Sequence, residues 1–108
     1  MAEGRDSELS ALWRVVRSIP EGRVASYGAV GRALPNYASG YFVGKWMAGC
    51  PDDGTPWWRV VNAKGELPIH KRDPRMALDQ RARLEAEGVP FDGDVIAKDA
   101  FWDPASLF

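Results

Sequence analysis

The apolar residues of this chain fall into short blocks whose spacing changes along its length. Leu9, Leu12, Trp13 and Val16 recur at i, i+3, i+4 and i+7, the buried stripe of an amphipathic helix, with Arg14 and Arg17 off the stripe. Asp6 or Ser7 can cap that helix, and Pro20 stops it because proline disfavours helical backbone in the residue before it. Ser26 is placed to cap a second, short helix through YGAVGRAL, which Pro35 closes. A third helix is expected from about Gly40 to Ala48. Phe42, Val43, Trp46 and Met47 form its inner face, while Tyr41, Gly44, Lys45 and Ala48 face outward. CPDDGTP (50–56) is a loop by composition. WRVVNAKGEL then predicts strand, turn and strand, with NAKG at the turn. Asp73 followed by Pro74 is a capping acid and a first-turn proline, opening a helix that runs to Glu87 and stops at Gly88.

Two positions sit awkwardly in these elements. Gly44 inside a helix costs about 0.8–1 kcal/mol relative to alanine. Either another helix packs on it, or something else must come close to the backbone there, and the spacing leaves both open. Glu87 lies in the last helical turn, where the macrodipole disfavours an anion by about 0.3–1 kcal/mol, yet it shares a stripe with Ala77, Gln80 and Leu84. The simpler account is an exposed carboxylate balanced by Arg83. The other is a specific buried partner.

The whole chain, 108 residues, fits one domain, with 1–6 and about 103–108 expected as flexible ends. Apolar residues make up 45 %, too many for a disordered chain, and no apolar run approaches the roughly 18 residues of a membrane span. The opening MAEGRDSELS is polar and acidic, unlike a signal peptide. A lone cysteine, Cys50, points to a reducing, cytoplasmic setting, nucleoid-associated in a prokaryote. The net charge of −1 hides an uneven distribution. Residues 9–84 carry twelve Lys/Arg against six Asp/Glu, a balance of +6, and the acidic ends cancel it. A basic body suits a polyanionic partner, and a solvated mixed surface is the plainer alternative.

Candidate chemistry is sparse. Cys50 follows a predicted helix C-terminus and precedes Asp52 and Asp53, all of which oppose a thiolate. His70 is the single histidine, so no recognisable metal-ligand spacing exists, and no cofactor is expected. There is no glycine-rich phosphate loop and no supported Ser-His-Asp set. Aromatic residues are plentiful: five Trp, three Tyr and four Phe. Trp13 and Trp46 belong to helical stripes, but Trp57 and Trp58 are adjacent, and neighbouring side chains cannot easily share one core. Beside Arg59 and close to Lys71-Arg72-Asp73, they are either two core rings with a surface arginine or a platform for a stacked nucleobase.

Taken in order, SIPEGRVASYGAVGRAL (18–34), YFVGKWM (41–47), PWWRVV (56–61) with NAKG (62–65), Lys71-Arg72-Asp73, and RLEAEGV (83–89) resemble the DNA-binding domain of O⁶-alkylguanine-DNA alkyltransferases, over roughly residues 9–95. In that family a Pro-Cys-His-Arg-Val segment carries the alkyl-accepting cysteine. Here Trp57 stands in its place, the mark of the alkyltransferase-like proteins. The resemblance implies a mainly α fold with a small β-hairpin, a winged helix-turn-helix. It further implies a monomeric, non-enzymatic sensor with no catalytic residue, metal or membrane association. Such a protein binds duplex DNA through the minor groove, flips O⁶-alkylguanine into a Trp-lined pocket and flags it for nucleotide excision repair proteins.

Carried over residue by residue, the helix 40–48 would enter the groove, with Gly44 and Ala48 allowing close approach. Tyr27 would contact the rotated nucleotide and Met47 would line the pocket. The carbonyls of Trp57 and Val60 would hold the guanine edge, and Arg72 would face the alkylated O⁶. Lys45 and Arg83 are candidate phosphate contacts, and Trp58 and Arg59 complete the candidate set. Two departures stand out. Tyr41 occupies the place of the family's intercalating arginine, in a segment ASGYF that carries two extra residues. Trp58 replaces the histidine that links the cysteine to the carboxylate matching Glu87, so Glu87 is expected to be structural and bonded to an indole N–H. A winged-helix module without base flipping is the alternative reading. Residual alkyl transfer through Cys50 and an aromatic small-molecule site are two others.

Overall fold

The computed structural model describes residues 3–51, 53–67 and 74–107, with backbone alone over 3–8. The first helix, α1 (Glu3–Ser18), buries Leu12, Val15, Val16 and Ile19. It begins ahead of the expected Asp6 or Ser7 cap, so both residues are helical. Strand β1 (Ala25–Ser26) runs straight into α2 (Tyr27–Ala33), whose N-cap Ser26 accepts from the Ala29 N–H at 3.0 Å. A tight turn leads to α3 (Gly40–Met47), capped by Ser39. Together α2 and α3 form the helix-turn-helix.

Gly31 makes this turn possible. A Cβ built there would lie 1.9 Å from the Ala38 carbonyl oxygen, whose own N–H donates back to the Gly31 carbonyl at 3.1 Å. Gly31→Ala is therefore expected to cost about 2 kcal/mol through overpacking, read as a lower urea midpoint at unchanged m-value. Gly44 behaves oppositely: a Cβ there would meet nothing within 4 Å. Helix packing against Gly44 is thus excluded among the described residues, and its open side faces outward. The inner face of α3 is also narrower than periodicity suggests. Val43 is fully buried, Trp46 and Met47 are partly so, and Phe42 is 51 % exposed, because α2 covers α3 along one side only.

The segment 57–67 departs from the expected hairpin. Trp57–Arg59 forms a single 3₁₀ turn, and β2 (Val60–Val61) pairs in parallel with β1, Ala25 opposite Val60. The NAKG turn is present: Asn62 Oδ1 accepts from the N–H groups of Lys64 and Glu66, and Gly65 N–H reaches the Asn62 carbonyl. Residues 66–67 form no strand. The antiparallel hairpin lies later, between β3 (Phe91–Asp92) and β4 (Val95–Ile96), around a two-residue Gly93-Asp94 loop. Between them, α4 (Pro74–Ala86) ends as expected at Gly88, with φ +85°. Gly88 N–H donates to the Glu85 carbonyl and Val89 N–H to that of Leu84, and Leu84 and Val89 share a core cluster. The expected cap, Asp73, lies outside the described residues.

Two core clusters result. One gathers α1, α2, Val43 and Val60, with Trp13, Trp46 and Trp102 packed on it. The second joins Val24, Val61, Leu84, Val89, Ile96 and Ala100, with Trp58 against it. The C-terminal segment, expected as a loose end, is pinned: Pro104 is fully buried, and Trp102 N–H donates to the Val24 carbonyl at 2.8 Å. Among the described residues no helix is long and apolar enough to cross a membrane.

Candidate nucleic-acid interface

A cleft of about 620 Å³ opens between α3, α4, the loop 50–55 and the 3₁₀ turn at Trp57, within the range of small-ligand sites. Ten of the twelve residues singled out from sequence line it: Tyr27, Tyr41, Gly44, Lys45, Met47, Ala48, Trp57, Trp58, Val60 and Arg83. Arg59 does not, and Arg72 lies outside the described residues. The cleft also takes in Cys50, Thr55, Met76 and Gln80.

The 3₁₀ turn separates the adjacent tryptophans. Their rings meet edge to face, with centroids 6.0 Å apart at 87°. Trp58 packs on the second core cluster, whereas Trp57 belongs to neither cluster and lines the cleft. Arg83, ion-paired with Asp79 at 3.0 Å, holds its guanidinium 4.7 Å from the Trp58 ring centroid and 5.8 Å from that of Trp57.

Of the two accounts that the helix pattern left open for Glu87, the buried partner holds. The carboxylate accepts from Trp58 Nε1 at 2.9 Å, from Arg59 Nε and Nη2 at 3.0 and 2.7 Å, and from the Gly22 N–H at 3.2 Å. Burial alone would push this carboxyl up, but the Arg59, Trp58 and Gly22 hydrogen bonds and the Arg59 charge outweigh it and hold the carboxyl below its ordinary value. Arg59 Nη1 donates to the Ile19 carbonyl at 2.9 Å, so this guanidinium is turned inward. The sequence reading of Arg59 as a DNA contact is corrected by that geometry: its side chain is 14 % exposed and its charge is met inside the protein.

The loop wall is equally fixed. Asp53 accepts from the Thr55 hydroxyl and N–H, and Arg17 ties both residues to α1. Cys50 lines the cleft, which its sequence position did not reveal. Burial pushes its thiol up, nearby Asp53 adds to this, and Arg17 only partly opposes them. The cleft therefore offers no activated thiolate. No cluster of His, Cys, Asp or Glu among the described residues could hold a metal ion.

The Val60 carbonyl accepts from Gln80 Nε2 at 3.2 Å and that of Trp57 from the Val60 N–H, which leaves each oxygen a second lone pair. Gln80 was visible in sequence as a polar residue on an apolar stripe, but its target was not. On α3, Tyr41 is 69 % exposed beneath Lys45 Nζ at 5.3 Å, and Phe42 stacks on Trp46. The arrangement suits a flat aromatic ligand and an anionic backbone: an indole wall, cations at the rim and exposed rings on a helix that can approach closely at Gly44.

Comparison with known proteins agrees with this chemistry. Residues 9–89 match the family described as "6-O-methylguanine DNA methyltransferase, DNA binding domain". A "DNA base-flipping protein" of Vibrio parahaemolyticus is 33 % identical over 105 residues, covering 92 % of this chain and 99 % of that protein. "Alkyltransferase-like protein 1" of Schizosaccharomyces pombe is 38 % identical over 88 residues, 78 % of each. The crystal structure of S. pombe Atl1 in complex with damaged DNA containing O6-carboxymethylguanine superposes with a TM-score of 0.70 at 31 % identity, covering 90 % of this chain and 95 % of that one.

Proposed function

Because this chain belongs to the family of the 6-O-methylguanine DNA methyltransferase DNA-binding domain, we propose that it is a DNA damage sensor that turns an O⁶-alkylated guanine into the Trp57 cleft and holds it without removing the alkyl group. The observation that carries this reading is the Trp57 ring, which lines the cleft and belongs to neither core cluster; on the family resemblance we place it where the acceptor cysteine would be. An indole has no ionisable group to displace an alkyl carbon, but its face stacks a base. Flipping costs a few kcal/mol, least at a damaged pair, and stacking with rim cations offsets it. Tyr41, exposed on α3, fills the gap left in the duplex. Gly44 lets the backbone approach the groove, and Lys45 and Arg83 contact phosphates. Tyr27 and Met47 enclose the base, and Arg72 faces the alkylated oxygen. The bound complex then serves as the flag for nucleotide excision repair.

The test is a titration of a duplex bearing one O⁶-methylguanine against its unmodified twin at fixed salt. A preference of tenfold or more, about 1.4 kcal/mol, is expected for the lesion. Equal affinity would leave a winged-helix DNA-binding module that flips nothing.

A further inference from the structure

A second concavity, of about 250 Å³, lies between α1, the C-terminal half of α2 and the turn that follows it. It shares no lining residue with the Trp57 cleft. Its apolar side includes Val15, Ala33 and Leu34, which belong to the first core cluster, so its floor is the core itself. Its charged side is Arg14 and Arg32, and no carboxylate lines it. Elsewhere Arg17, Arg59, Arg81 and Arg83 each meet a carboxylate, and Arg23 donates to the carbonyls of Ala100 and Phe101. Arg14 and Arg32, both exposed, have no hydrogen bond or ion pair among the described residues. Tyr37 also lines the pocket, 78 % exposed, and is the one non-glycine residue with a positive φ, 24°, among those described. Bulky residues rarely adopt that backbone. Here the bond from the Ala38 N–H to the Gly31 carbonyl pins the turn, and the ring is held outward.

We propose that this pocket is a docking site for a partner protein, taking a peptide segment in which apolar side chains are flanked by carboxylates. Unpaired guanidinium groups suit carboxylates, which they bind through paired, charge-assisted hydrogen bonds. The apolar floor and a volume below the range of ligand sites fit one or two apolar side chains rather than a cofactor or a nucleotide. Tyrosine and arginine around an apolar centre are also the residues that dominate protein interfaces. The competing occupant is DNA, because Arg32 Nη1 lies 3.6 Å from where a Gly28 Cβ would be and so reaches back along α2 toward Tyr27. A phosphodiester gains nothing from a floor of buried valine, alanine and leucine, whereas an acidic, apolar segment uses both sides of the pocket. The proposal is independent of base flipping, since DNA held in the Trp57 cleft needs none of these residues.

Titration of the ¹⁵N-labelled chain with the capped peptide EDLFDE tests this, with EDSSDE and KKLFKK as controls. EDLFDE should give saturable shifts at the amides of Ala11, Ala33 and Tyr37 and leave the Trp57 amide in place. Its Kd should lie about tenfold or more below that of either control. Arg14→Gln combined with Arg32→Gln should weaken EDLFDE binding by about tenfold and leave affinity for a DNA duplex within about twofold. Should that double variant not fold, the three peptides on the native protein decide alone. No saturable shift at those amides overturns the proposal, as does equal binding of EDLFDE and either control, or an unchanged peptide affinity in the double variant. A duplex that shifts the same amides, with a salt dependence that falls by about two units in the double variant, would make the two arginines phosphate contacts and overturn it equally.

Discussion

Trp57→Ala is expected to weaken binding to an O⁶-methylguanine duplex by about 30- to 100-fold while leaving the thermal midpoint nearly unchanged. The first half follows from stacking, worth about 1–3 kcal/mol per base on an aromatic face. The upper part of that range applies because Trp57 is the indole that lines the cleft without belonging to a core cluster. The second half has the same origin: its loss leaves both clusters complete. Trp58→Ala should do the reverse and lower stability first, since Trp58 packs on the second cluster and donates to Glu87. Parallel measurements of Kd and thermal midpoint separate the two. A Trp57→Ala protein that unfolds, or that keeps its lesion preference, would return this ring to the core.

That contrast also marks how far the sequence could be read. Elements announced by local chemistry were legible. Ser26 caps α2, and Gly88 ends α4 in the left-handed conformation, because each signal acts within a few residues. The two-residue strands were not, since β1 and β2 are stabilised by pairing Ala25 with Val60 across 35 positions, and no period of two can show in so short a run. The hairpin at 91–96 did carry a signal, Gly93-Asp94 between Phe91-Asp92 and the apolar pair Val95-Ile96, which the neighbouring NAKG turn overshadowed.

The site divides along the same line. Motif order named residues that lie together, most of them lining one cleft. Its wiring was legible in part: the bond from an indole N–H to Glu87 was expected from the resemblance, whereas Arg59 read as a surface group, and only the approach of α4 to the 3₁₀ turn brings it to the same carboxylate. Glycines illustrate the point most directly. Gly31 and Gly44 are equivalent by composition, yet one touches a carbonyl across the turn and the other touches nothing. Helix spacing describes a face and is silent on what covers it.

Glu87→Ala should be strongly destabilising, at about 3–5 kcal/mol, because it strands a buried guanidinium. The Arg59 and Glu87 side chains are only 14 % and 10 % exposed, so solvent cannot replace the lost partner. The indole N–H of Trp58 and the Gly22 N–H lose their acceptor at the same time. Against a typical total of about 5–15 kcal/mol, that is a large fraction, and the thermal midpoint should fall by roughly 15–25 °C. The effect should also depend on pH in a defined sense. The folded carboxyl titrates below its ordinary value, so the unfolded chain holds the proton more tightly. The stabilisation is fully present above the unfolded value of about 4.3 and is lost as pH falls through the lower folded value. Urea unfolding of both proteins at pH 7 and again below pH 4 should show the gap between them narrowing in acid. A gap below about 1 kcal/mol at pH 7, or one that widens in acid, would mean that the ion pair is incidental. The predicted result would give this carboxylate a structural role: it anchors Trp58 and the turn that presents Trp57, so the cleft is preformed.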